Sequence, residues 1–96
     1  MKKLSAEEIR HSLRSVPTWV KRGQVIRHTY EFADFIPAMK FVNAVARAAE
    51  RAQHHPDIDI RWNRVTLALT THDAGGLTTK DFALAAQADA LSVKVS

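Results

Sequence analysis

The 96-residue chain contains no cysteine. That absence excludes disulfide scaffolds, thiolate catalysis and cysteine-ligated zinc, and it fits a reducing compartment. No apolar run approaches the roughly 18 residues that a bilayer-spanning helix requires, so no membrane association is expected. The opening Met1-Lys2-Lys3-Leu4 runs into Ser5 and then two glutamates instead of an apolar segment, so no secretory leader is expected and the cytoplasm is the expected compartment. One-sided charge is missing too. The formal net charge is +4, but lysine and arginine are mixed with acids along the chain, with no basic run and no basic-aromatic ladder. Nucleic acid is therefore not an expected partner; attraction of a small anionic ligand is the most this charge implies. Low-complexity segments, linkers and strong repeats are also lacking. Residues 1–96 are expected to form one domain with a modest core, a size at which association into homo-oligomers often adds support.

What is present reads in order as helix, hairpin, helix, hairpin, helix. Ser5-Ala6-Glu7-Glu8 is a capping box flanked by Leu4 and Ile9 as a hydrophobic staple. The stripe Ile9, Leu13, Val16 follows and ends at Pro17. His11 falls on the opposite side of this helix, a surface position. Residues 18–32 predict a hairpin turning at Arg22-Gly23, with Lys21 facing Gln24 and Trp19 facing Ile26. His28 then shares a strand face with Ile26, Tyr30 and Phe32, where a half-buried sheet histidine is the simplest reading. Asp34 caps a helix that tolerates Pro37 in its first turn and runs from Ala38 to about Gln53, with Phe41/Val42, Val45, Ala49 and Ala52 on its apolar face. Pro56 stops it. Asp57–Trp62 and Val65–Leu69 alternate as strands around an Asn63-Arg64 turn. Asp73-Ala74-Gly75-Gly76 predicts a flexible loop, and Thr78 caps a last helix with Asp81 at its third position. The economical solution is an α+β fold: a four-stranded antiparallel sheet with three helices packed on one face, in the order α-β-β-α-β-β-α.

Chemistry concentrates in Glu50 to Trp62, answered downstream by His72 and Asp81. Histidine is the side chain whose ordinary pKa lies near neutrality, so a cluster of histidines is a ready means of moving protons at physiological pH. With Asn63-Arg64 as the turn, Trp62 faces Val65, Ile60 faces Leu67 and Ile58 faces Leu69. Continuing outward sets Pro56 against Thr71 and His55 against His72, with directly opposed Cβ atoms roughly 5 Å apart. Glu50 and His54, four apart on one helix, are placed for a carboxylate to orient an imidazole. Individually each has a plainer explanation: Glu50 on the surface, His54 at a helix C-terminus, Asp81 as a cap, Trp62 in the core. Three histidines together are also a metal-binding pattern, but no pair here has the spacing of a familiar zinc motif, so no metal is expected.

Those residues carry a resemblance. The series Glu50, then His54-His55-Pro56, Trp62, His72 and Asp81 is similar to the signature of the pterin-4a-carbinolamine dehydratase family, and it is filled without a gap. Trp19, Tyr30-Glu31-Phe32-Ala33-Asp34-Phe35, Ala49-Glu50 and Thr71-His72-Asp73 before Gly75-Gly76-Leu77-Thr78 extend the likeness over almost the whole chain. The resemblance implies a hydro-lyase that dehydrates 4a-hydroxytetrahydropterin, such as 4a-hydroxytetrahydrobiopterin, to the quinonoid dihydropterin. That step recycles the cofactor of aromatic amino acid hydroxylases, and the family needs no metal or organic cofactor. It also implies that His54, His55 and His72 line the pterin pocket and carry activity, with Glu50 and Asp81 orienting them. Pro56, Trp62, Thr71, Asp73 and Ala74 would contact substrate, and the protein would be a homodimer or homotetramer. On this reading His54 and His72 exchange protons with substrate, His55 positions it, Glu50 orients His54, and Asp81 orients the His72 loop. Some members of the family act instead as protein-binding modules, including a dimerisation cofactor of a transcription factor, and that is the alternative.

Overall fold

The computed structural model describes residues 2–95; Met1, part of the segment weighed as a leader, and Ser96 lie outside them. The elements are α1 (Ala6–Leu13), β1 (Val20–Arg22), β2 (Val25–Glu31), α2 (Phe35–Ala52), β3 (Asp57–Arg61), β4 (Arg64–Leu69), a short 3₁₀ turn (His72–Ala74) and α3 (Thr79–Val95). This is the expected helix and strand order. The capping box forms as predicted: the Glu8 amide donates to Ser5 Oγ at 3.1 Å and the Ser5 amide to Glu8 Oε1 at 2.8 Å. Asp34 caps α2 through the Ile36 amide at 3.1 Å. Pro37 sits within the first turn, where its missing N–H costs no intrahelical bond.

The four strands form one antiparallel sheet in the order β1-β2-β4-β3, so the two hairpins join through their inner strands. Along β4, Val65, Leu67 and Leu69 are buried while Arg64 is exposed, the alternation of a sheet covered on one face. Ile26 and Tyr30 of β2 share that face. They pack with Ala38, Phe41, Val42, Val45, Ala48 and Ala49 of α2 and with Phe82, Leu84, Ala85 and Ala88 of α3 in one core. Small alanines on both helices let the backbones approach, and Phe41, fully buried, fills the centre.

Both hairpin registers differ from expectation by one loop position. In the first, Arg22 pairs with Val25 and Lys21 with Ile26, so the turn is Gly23-Gln24 rather than Arg22-Gly23. Gly23 takes the positive φ of +57° at the first loop position, a conformation glycine adopts without a Cβ penalty. In the second, Arg61 pairs with Arg64, Ile60 with Val65 and Ile58 with Leu67, so the turn is Trp62-Asn63. The cause is tertiary. Asn63 extends the β2–β4 ladder, accepting from the Phe32 amide at 2.9 Å and donating its own carboxamide to the Phe32 carbonyl at 2.9 Å. That contact holds Asn63 in the ladder and leaves the left-handed conformation to Trp62, at φ 51°.

Trp62 is consequently 63% exposed, not core. Ile58 and Ile60 keep to the helix-covered side of the sheet, yet on edge strand β3 both stay more than a third exposed. No helix among the described residues is long and apolar enough to cross a membrane.

Candidate functional site

The end of α2 decides where the histidines go. The helix stops at Ala52, and Gln53 adopts a left-handed conformation (φ 52°, ψ 43°), its amide bonding back to the last turn. The His54 amide also returns to the Ala49 carbonyl at 3.1 Å, a helix-closing arrangement usually built on glycine. Because the chain has left the helix before His54, the four-residue spacing from Glu50 no longer stacks the two side chains. His54 turns inward and is buried; His55 turns outward and is exposed.

Their carboxylate partners are therefore not the expected ones. Asp81, fully buried near the start of α3, faces His54, with Oδ1 2.6 Å from His54 Nε2. Its Oδ2 accepts from the Thr71 hydroxyl at 2.8 Å and from the Thr78 amide at 2.9 Å. The Thr78 and Thr71 hydroxyls lie 2.9 Å apart. Since Thr71 donates to Asp81, Thr78 donates to Thr71, and the chain of bonds has one direction. A carboxylate only accepts, so His54 donates from Nε2, which in the neutral ring makes Nδ1 the acceptor. Asp81 thus caps α3 and holds the neck of the His72 loop through Thr71, as expected, and in addition orients His54. Glu50, expected to orient His54, reaches His55: Oε2 lies 2.5 Å from His55 Nε2, with both side chains well exposed.

His72 arrives from the other side. The segment expected to be a flexible loop is an ordered excursion: the Thr71 amide donates to the Gly76 carbonyl at 3.2 Å and the Gly76 amide to the Thr71 carbonyl at 3.3 Å. Between them His72-Asp73-Ala74 make a 3₁₀ turn that closes on Gly75 at φ +74°. The actual register of the second hairpin means that His55 and His72 are not a directly opposed pair. They still line one pocket, with the loop that carries His72 closed at its Thr71–Gly76 neck.

His54, His55, Thr70, Thr71, His72 and Asp73 line one shallow pocket of about 240 Å³. Larger hollows exist, one of about 360 Å³ between α1 and the start of α3 that includes Glu7, Glu8 and His11, but the smaller one gathers three histidines. Thr71 lines it from a buried position with its hydroxyl committed to Asp81. Pro56 and Ala74 adjoin the pocket without lining it. Trp62 is not brought to it: it stands in the turn at the far end of the hairpin, about 20 Å from Pro56 at ~3.3 Å per strand residue. His11 is exposed, and His28 is half-buried with its ring edge-on to Tyr30 at 4.5 Å, as the simpler readings expected. Among the described residues no group of three or more His, Cys, Asp or Glu side chains is arranged to hold a metal ion.

The sequence profile of the family described as pterin 4 alpha carbinolamine dehydratase matches residues 2–91. The chain belongs to this family. A relative from Acidobacterium capsulatum, provisionally named a pterin-4-alpha-carbinolamine dehydratase, is 56% identical over 91 residues, covering 95% of this chain and 99% of that protein. Another from Chloroflexus aurantiacus, given the same provisional name, is 57% identical over 89 residues, covering 93% and 96%. Among solved structures, a protein of Brucella melitensis described as a transcriptional coactivator/pterin dehydratase superposes with a TM-score of 0.91 at 31% identity, over 95% of this chain and 99% of that one. A pterin dehydratase-like protein described as a RuBisCO assembly factor in the alpha-carboxysome has a TM-score of 0.68 at 24% identity over 78% and 89%, a likeness of fold alone. A pterin dehydratase frame thus surrounds the histidine pocket.

Proposed function

We propose that the pocket removes water from a 4a-hydroxytetrahydropterin to give the quinonoid dihydropterin, with histidines as general acid and base. The observation that carries this reading is the meeting of His54, His55 and His72 in one pocket on the frame of a pterin dehydratase family. The reaction breaks the C4a–O bond, takes a proton from a ring nitrogen and gives a proton to the departing hydroxyl. His54, with Nδ1 unprotonated while Asp81 holds Nε2–H, is built as the base, and the buried carboxylate stabilises the imidazolium it becomes. His72, exposed and with no hydrogen-bond partner for its imidazole among the described residues, serves as the acid. His55, tethered by Glu50, positions the pterin. Asp73 and the polypeptide around Pro56 and Ala74 complete the contact surface, and no metal or organic cofactor takes part. Replacing His72 with alanine should lower the dehydration rate by about 10²–10⁴-fold, measured on enzymatically generated 4a-hydroxypterin; an unchanged rate would overturn the assignment.

A protein-binding role is the second reading, favoured by the description of the Brucella melitensis homologue as a coactivator as well as a dehydratase. A triple-histidine variant separates the two, since it would end dehydration and spare partner binding. Homo-oligomerisation is supported by the exposed Ile58 and Ile60 on edge strand β3 and by Trp62 in the turn that follows it, apolar surface beside an edge that can extend the sheet. Light scattering that found only monomers would remove that expectation.

A further inference from the structure

We propose that Gln24, in the turn between β1 and β2, is the positioning residue that sets His72 over the pocket; the inference rests on the dehydratase reading above and deepens it. His72 lies on an excursion that leaves the sheet at Thr70 and ends at Leu77, just before α3. Gln24 holds both ends. Its main-chain carbonyl accepts from the Thr70 hydroxyl at 2.5 Å, and its side-chain Oε1 accepts from the Leu77 amide at 3.1 Å. The imidazole of His72 has no partner of its own among the described residues, so its position is inherited from the anchoring of the loop. Inside that grip the Thr71–Gly76 bridge closes the neck and Asp81 takes the Thr71 hydroxyl, so Asp81 supplies the inner hold on the loop and Gln24 the outer one.

Two further features fit a clamp. Gly76 faces the Gln24 carboxamide so closely that a Cβ there would collide with it and with the stem of Lys3. Glycine is what lets the carboxamide reach the Leu77 amide. The Leu4 amide also donates to the Leu77 carbonyl at 2.8 Å. Losing the Gln24 side chain therefore leaves the loop tethered but displaced, which predicts a misplaced histidine and not a melted segment. Gln24 itself is exposed and outside the core, so packing does not account for its contacts. Its role also depends on the turn being Gly23-Gln24; in the register expected from sequence it would lie in the strand.

The test uses the full chain with Gln24→Ala, Gly76→Ala, the double variant and Gln24→Glu, which keeps the oxygen acceptor. Dehydration kinetics are read together with the imidazole nitrogen resonances of His72. Gln24→Ala and Gly76→Ala should each lower kcat by about tenfold to a hundredfold, the scale expected when a reacting group is misplaced by about 1 Å, with KM little changed. The His72 resonances should move while those of His11 stay. The double variant should be no slower than the worse single one, because both break one contact, and Gln24→Glu should restore kcat. Wild-type kcat and unmoved His72 resonances in Gln24→Ala would overturn the proposal, as would multiplicative effects in the double variant or no recovery with glutamate. If the wild-type chain itself fails to dehydrate the pterin, the functional reading falls, and the His72 resonances alone still decide whether Gln24 positions that ring.

Discussion

His54 and His55 are neighbours in the chain, yet each takes its carboxylate from a different quarter and into a different environment. Asp81 reaches His54 from 27 residues away, is fully buried, and has both oxygens engaged by His54, Thr71 and the Thr78 amide. Glu50 reaches His55 from five residues away, with side chains 71% and 58% exposed. Both are short contacts between the same two chemical groups. In the dry pair the carboxylate has no water to turn to, so its geometry is dictated by protein donors. In the wet pair, solvent competes with the bond and screens it. The buried pair is thus equipped to hold one tautomer through a reaction, and the exposed pair to steady a ring that remains adjustable.

That contrast is open to breakage. Asp81→Ala should have the largest effect, because it strands a histidine N–H, a threonine hydroxyl and a backbone amide in the interior. A stability loss of about 3–5 kcal/mol is expected in urea unfolding, together with a dehydration rate close to that of a His54→Ala variant. A milder loss would mean that water enters to replace the carboxylate.

A part-buried carboxylate elsewhere tests how far the contrast extends between these extremes. Asp89 on α3 accepts from Trp19 Nε1 at 3.0 Å and from the Tyr30 hydroxyl at 2.5 Å, with no imidazole in the bond. Tyr30→Phe should lose about 1.5–3 kcal/mol, the range for hydrogen bonds to charged groups, without touching the pocket. Burial, reinforced by the Asp89 hydrogen bond, pushes the Tyr30 hydroxyl far above the ordinary tyrosine value of 10.0. The folded chain therefore favours the neutral phenol. The stability it contributes is fully present below pH 10 and declines as pH rises beyond the unfolded value. Tyr30 is the chain's single tyrosine, so pH-dependent unfolding of wild type and Tyr30→Phe should diverge below that point and converge above it.

Glu50→Ala should have the smallest effect. An exposed pair contributes about 0–1 kcal/mol, and added salt should shrink even that difference, since the Debye length at 0.15 M is only about 8 Å. Thermal melts at low and high salt measure it. Were Glu50→Ala as damaging as Asp81→Ala, exposure would not be what separates the two pairs.

Much of the fold was readable from local chemistry. Ser5 with Glu8, Asp34 before Pro37, and the alternation of Val65, Leu67 and Leu69 each act over a few residues, and each formed as expected. The gathering of the histidines was readable, but their hydrogen-bond partners were not. His54, His55 and His72 do converge, whereas Trp62, drawn in by motif spacing, stands at the wrong end of its hairpin. Strand alternation alone does not distinguish the two registers. Moving the turn from Asn63-Arg64 to Trp62-Asn63 changes each partner by two residues, and a two-residue shift leaves every isoleucine facing an aliphatic residue. Gln24 carried no signal at all, because its contacts lie 46 and 53 residues away.

Taken by itself, the amino-acid order determined the succession of elements, their caps and most of the faces they bury, because these follow from spacing along a helix or strand. Only the tertiary structure decided which carboxylate serves which histidine. That choice turns on a left-handed Gln53, a conformation that glutamine rarely takes unaided, and on a buried Asp81 supplied by another helix. Both are selected by contacts between parts of the chain that no local pattern links.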